Sequence, residues 1–283
     1  MRKDIITLGK ARLISQIPSY LLVPLIARIY SPEALGLWTF LSVIISFAGC
    51  FAILKIDDYL AINKVFGNFD VLDSYAVKNF RRICIPFSLI TSLIIFFNNS
   101  FIDSTKEKYF FAIGVFLIII FNSLCQLNNG WIIRYRKFKD KAFIQIMQAF
   151  SLCFITLISG FISPSAQSLM IAFLGSQIIV FFIGWSKIKN YFFKLDNHKN
   201  LFEQLKKFFL ENRSNIKIKN YEVIKQGGIS AFSYFFNLSW NMGLPLLIFI
   251  AYDQNLAGQF SLAYKVVLIP ASLFAGPVKN VFY

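Results

Sequence analysis

The sequence predicts an all-α polytopic membrane protein, and three observations carry that reading. Hydrophobic residues make up 57% of the 283 and the mean hydropathy is +0.60, above the roughly 45–50% apolar content of soluble domains. Apolar stretches long enough to cross a hydrocarbon core of about 30 Å recur along the whole chain. Lysine and arginine, 29 residues against 14 aspartates and glutamates, gather in every second connection.

Eight spans are expected, at 13–31, 37–54, 83–102, 109–128, 143–162, 167–186, 230–251 and 257–280. The first contains Pro18 and Pro24, lacks a small-residue cleavage site and is followed after "SPEA" by a second span, so it is a retained helix and not a signal peptide. "SPEA", "DSTKEK", "SPSAQ" and "DQN" join spans one to two, three to four, five to six and seven to eight with short turn chemistry. The alternate connections are longer and basic, at 55–82, 129–142 and 187–227. In the last of these, Leu201, Phe202, Leu205, Phe208 and Phe209 recur at helical spacing beside Glu203, Lys206 and Lys207. Two readings stand there: an amphipathic helix on the membrane surface, or a solvated linker.

All the basic residues except Arg28, Lys106, Lys108, Lys265 and Lys279 fall in the N-terminal segment or the longer connections. The positive-inside rule then places the N-terminus and the even-numbered loops in the cytoplasm. The net charge of +15 is therefore an orientation signal with some attraction for anionic membrane lipids, and no nucleic-acid partner is expected. Cys50, Cys84, Cys125 and Cys153 lie singly in or beside apolar spans, without CxxC spacing, and are read as small buried hydrophobes. No cofactor and no metal are expected. Asp57 and Asp58 could imitate the acidic pair of a glycosyltransferase, but they close span two beside Lys55, where charged ends are routine.

"PLIARIYSPEALGLWTF" at 24–40 returns as "PLLIFIAYDQNLAGQFSL" at 245–262. Pro24 aligns with Pro245, Leu25 with Leu246 and Ile29 with Ile250. After one inserted residue, Tyr30 aligns with Tyr252, Gly36 with Gly258, Trp38 with Phe260 and Thr39 with Ser261. Spans seven and eight thus restate spans one and two in the same orientation, as parallel repeats do. The expected organisation is a first six-helix bundle at 1–186, a cytoplasmic linker at 187–227, and the start of a second bundle at 228–283. Two parallel six-helix repeats imply twelve spans, so the chain reads as the first two thirds of a longer protein or as a truncated product.

These segments carry a resemblance. The 24–40 stretch resembles the span-one to span-two junction of polysaccharide flippases, the Wzx-type exporters of lipid-linked oligosaccharides in the MOP superfamily. "RYRKFKDKAFIQI" at 134–146 is similar to their basic junction before span five, and "AGQFSLAYKVVLIPASLFAGPVKNVFY" at 257–283 to their span eight. The resemblance implies a transporter of the bacterial inner membrane that moves undecaprenyl-diphosphate-linked repeat units by alternating access. It implies no enzyme activity, and it implies work alongside a polysaccharide polymerase and chain-length proteins in O-antigen or capsule synthesis.

Such a substrate needs cations for the diphosphate and amides for sugar hydroxyls. Lys265, well inside span eight, and Arg28, at the outer end of span one, are the candidate cations. A charge within a span costs about 2.5–3.5 kcal/mol on insertion scales, which makes it a functional candidate. Their repeat partners are Val43 and Phe249, so both depart from the symmetry. Arg28 has a second reading, as a headgroup contact or a partner of Glu33. Asn122, Gln126 and Asn241 are the candidate sugar-binding amides, with Gln16, Gln145, Gln148 and Asn237 as weaker ones. Interhelical hydrogen bonds are an equal alternative for all of them. A cation-coupled multidrug exporter of the same superfamily is the nearest rival, yet its intramembrane acids are missing from spans one and four to eight.

Overall fold

The computed structural model describes residues 2–57, 60, 76–97, 104–192, 220–264 and 266–267. These form eight helices: α1 (Arg2–Ile29), α2 (Pro32–Ala52), α3 (Ala76–Phe97), α4 (Thr105–Arg134), α5 (Phe138–Ile162), α6 (Ala166–Phe192), α7 (Asn220–Ala251) and α8 (254–264). No strand occurs among the described residues. This is what a bilayer demands, since a helix satisfies its own backbone where water is absent.

Six of the helices, α2 to α7, are long and apolar enough to cross a membrane. At 28 residues α1 is long enough too, but Arg12, Gln16 and Arg28 dilute its apolar face, and the described part of α8 is short. Helices also overrun the expected spans. α3 begins at Ala76 rather than at 83, α6 runs on to Phe192, and α7 begins at Asn220, so helix occupies both flanks of the 187–227 connection. Polar residues extend a helix beyond the hydrocarbon without breaking its ladder, a boundary that hydropathy does not mark. The amphipathic stretch at 201–209 lies outside the described residues.

Successive helices run antiparallel. α1 packs on α5, α5 on α6, α6 on α4, α4 on α3, and α2 on both α4 and α7. The middle position belongs to α4, which buries Phe111, Val115, Ile118, Ile119, Leu127 and Trp131 against Leu41, Ile45, Met170, Val180 and Trp185. Lipid offers no hydrophobic drive between helices, so close contact and hydrogen bonds hold this core. Outward faces carry Leu21, Ile94, Phe97, Phe154, Phe161 and Trp240 to the acyl chains.

The two aligned segments start their helices in the same way. Ser31 caps α2, its Oγ accepting from the Ala34 backbone N–H at 3.3 Å, and Pro32 follows at the first helical position. At the matching place Asp253 caps α8, its Oδ1 accepting from the Leu256 N–H at 2.7 Å. The two helices then cross at the matched glycines. A Cβ at Gly36 would meet the carbonyl of Gln254, and a Cβ at Gly258 would meet the carbonyl of Pro32. Pro32 and Gln254 are themselves equivalent positions, so the contact is reciprocal, as an interface about a two-fold axis must be.

Neither glycine has room for a side chain at this crossing. Gly36→Leu and Gly258→Leu are each expected to lower stability by about 1–3 kcal/mol, the usual penalty of overpacking. Gly243→Ala, with nothing within 4 Å of its Cβ position, is the neutral control. Thermal unfolding of purified protein in detergent checks all three.

Candidate functional site

α2 and α7 pack side by side, and the seam between them is aromatic. Phe40 stacks on Phe249 with ring centroids 4.4 Å apart, while Phe235 lies 5.1 Å from Phe47 and 5.5 Å from Phe51. Lys55 closes the seam at its basic end. Its Nζ sits 4.0 Å above the Tyr234 ring and 3.8 Å from Asp57 Oδ2, and the residue is 9% exposed. The chain reaches this arrangement through two successive left-handed residues, Leu54 at φ 48° and Lys55 at φ 51°. Left-handed geometry ends the helix, although neither residue is the glycine usually found there.

In the sequence Lys55 reads as part of a routine charged helix end. Its signal is faint, because a lysine after an apolar span usually reaches water, and only the turn folds this one back onto α7. Asp57 is likewise committed to Lys55. No group of three or more His, Cys, Asp or Glu able to hold a metal occurs among the described residues. All four cysteines are free, and Cys50, Cys84 and Cys125 are buried.

The expected site residues separate into three situations. Asn122 and Gln126, one helical turn apart on α4, converge on α2 at Gly49, where an added Cβ would stand 3.2 Å from Asn122 Nδ2 and 3.9 Å from Gln126 Nε2. Arg28 is exposed in the last turn of α1. Asn241 turns back on its own helix, its Nδ2 donating to the Asn237 carbonyl at 2.8 Å and to Asn237 Oδ1 at 2.7 Å. No described contact joins Arg28, Asn241 and the Asn122–Gln126 pair. Lys265 lies outside the described residues. Gln145 Nε2 donates to Ser15 Oγ at 3.4 Å and so ties α5 to α1, the interhelical alternative for that amide.

At the end opposite Lys55, the turns are fastened by Tyr30. Its hydroxyl donates to the Thr156 carbonyl at 2.8 Å and accepts from Ser168 Oγ at 3.4 Å, tying the end of α1 to α5 and to the first turn of α6. Tyr30 is 3% exposed and its repeat partner Tyr252 is 72% exposed. The Lys55 end collects the cations. Arg81, Arg82, Arg136, Lys137 and Lys139 are exposed there, Arg134 is buried, and Lys187 Nζ lies 3.6 Å from Asp140 Oδ1.

The described residues form the all-helical bundle of a multi-pass membrane protein, with amides placed between its helices. Residues 25–227 match the family described as polysaccharide biosynthesis protein, and the chain belongs to that family. No curated protein and no solved structure matches it.

The Lys55–Tyr234 contact is directly measurable. In a double-mutant cycle of Lys55→Met and Tyr234→Leu, a coupling of about 0.5–2 kcal/mol is expected from chemical or thermal unfolding, the range of cation–π pairs. A coupling of zero would mean that the two side chains act independently.

Proposed function

We propose that the chain is a flippase that carries undecaprenyl-diphosphate-linked oligosaccharide repeat units across the bacterial inner membrane for O-antigen or capsule synthesis. Membership of the polysaccharide biosynthesis family is the observation that carries this reading. The N-terminus and the basic ends of the helices face the cytoplasm. The substrate passes between the two parallel helical units by alternating access, and a polymerase and chain-length proteins take over on the far side.

Charge placement supports an anionic cargo over the rival cationic drug. The acidic residues whose side chains are described, Glu33, Asp57, Glu107, Asp140 and Asp253, all stand at helix ends or turns. No carboxylate among them lies at mid-membrane depth to bind a proton, a metal cation or a cationic drug. Arg28 is suited to the diphosphate, because a guanidinium fork donates two parallel hydrogen bonds to an oxyanion. Lys265 supplies a second cation. Asn122 and Gln126 offer donors and acceptors to sugar hydroxyls, and the Asn241–Asn237 pair adds a polar step on α7. Catalytic residues are not required, since no bond is broken.

The test is complementation of a strain lacking its own flippase, with membrane insertion followed by immunoblot. Arg28→Ala, Lys265→Ala and the pair Asn122→Leu with Gln126→Leu are each expected to cut surface polysaccharide at least ~10-fold, the effect of about 1.4 kcal/mol of lost binding. Arg28→Lys is expected to keep part of the output. Full polymer from all the alanine and leucine variants, at normal protein levels, would remove these residues from the path.

A further inference from the structure

The middle of the first unit contains polar groups that the fold does not satisfy. Between Asn122 and Asn128, α4 presents polar side chains to several of its neighbours. Asn128 is accounted for, its Nδ2 donating to the Phe181 carbonyl at 3.3 Å. Ser123 is fully buried, and its hydroxyl lies against the Cys84 thiol without forming a well-shaped hydrogen bond. Gln126 Oε1 is buried and accepts from nothing among the described residues. Asn79 is 7% exposed, and its Nδ2 donates to nothing among them.

The helices that carry Asn79, Ser123 and Gln126 meet at one junction. Asn79 precedes the π-helical turn Phe80–Cys84 within the first half of α3, and its side chain makes no capping bond. That turn packs against both α2 and α4. Ser123 and Gln126 are about 4.5 Å apart along the axis of α4, from a rise of 1.5 Å per residue. On the third side Gly49 withholds a side chain where Asn122 and Gln126 arrive. A π turn is itself a local departure from α geometry that recurs at functional sites. Gln177 Oε1 is in the same unsatisfied condition on α6, at the level of Cys125, whose thiol donates to the Gln177 carbonyl at 3.3 Å.

We infer that the junction of α2, α3 and α4 is a hydrated pocket, in which ordered water bridges Asn79, Ser123 and Gln126. The group is neutral and mixes a donor, an acceptor and a hydroxyl that is both. That chemistry excludes a phosphate, which needs cations, and a divalent metal, which needs carboxylates. It fits a small neutral hydroxylic molecule with two to four polar partners, which describes a buried water. Dry polar atoms in a membrane interior carry an uncompensated desolvation cost, and several together would not persist beside a well-packed core. The inference does not depend on the transport reading. If both hold, a sugar hydroxyl reaching Asn122 exchanges with water already in place.

X-ray radiolytic footprinting of the purified full chain tests it, because hydroxyl radicals generated from bound water oxidise the nearest side chains. Cys84, 0% exposed, is the reporter, and Met170, 2% exposed and seated against Gly114 in the apolar core, is the dry sulfur control. After each rate is divided by the intrinsic hydroxyl-radical reactivity of its sulfur, oxidation of the Cys84 peptide is expected several-fold faster than that of the Met170 peptide, and the outcomes below are read on this normalised scale. In Asn79→Leu with Gln126→Leu, the Cys84 rate is expected to fall to that of Met170, with Ser123→Ala as a milder second variant. Equal rates at the two sulfurs in the unaltered chain overturn the inference. So does a Cys84 rate that neither folded variant changes.

Discussion

Two carbonyl oxygens, those of Pro32 and Gln254, occupy the space that side chains at positions 258 and 36 would need. Among the described residues, that crossing registers α8 against α2. It fixes α2 against α8 at one end, and the cap on each helix then fixes the direction in which each predecessor arrives. Once α7 is brought in beside α2, the phenyl rings of Phe40, Phe47 and Phe51 meet Phe249 and Phe235 along the remaining length. A membrane interior supplies no hydrophobic force to correct a poor fit, so a backbone contact without side chains is an economical way to set the register.

The symmetry is kept in the scaffold and broken in the chemistry. Caps and crossing glycines repeat, but Tyr30 is enclosed by α5 and α6 while Tyr252 stands open. Phe249, which stacks on Phe40, occupies the position where the first unit has Arg28. One side of the approximate two-fold is thus an aromatic seam closed by Lys55 over Tyr234.

Much of the fold was legible because bilayer physics writes in long words. A run of apolar residues of membrane length, a Ser-Pro-Glu helix start and a glycine spaced identically in two segments all point to local structures that tertiary context seldom overrides. The site was legible only in part. Asn122 with Gln126 and Asn237 with Asn241 show the same four-residue spacing, yet the first pair faces Gly49 across an interface and the second closes on its own backbone. Spacing alone does not separate a side chain that reaches across from one that folds back. Lys55 escaped for a related reason, since its placement depends on a left-handed turn that no glycine announces. The polar junction at Asn79, Ser123 and Gln126 brings together residues from α3 and α4, and a linear reading carries no information about which helices become neighbours.

Leu54 and Lys55 have a practical meaning for anyone wishing to harden the protein. Rules based on backbone angles alone nominate both as sites for glycine or asparagine, since L-residues there forgo about 1–2 kcal/mol each. The lysine returns that cost through its ring and carboxylate contacts, and glycine would return nothing. A stabilisation screen is better directed elsewhere, and Lys55 in particular is a position where the conventional remedy would harm.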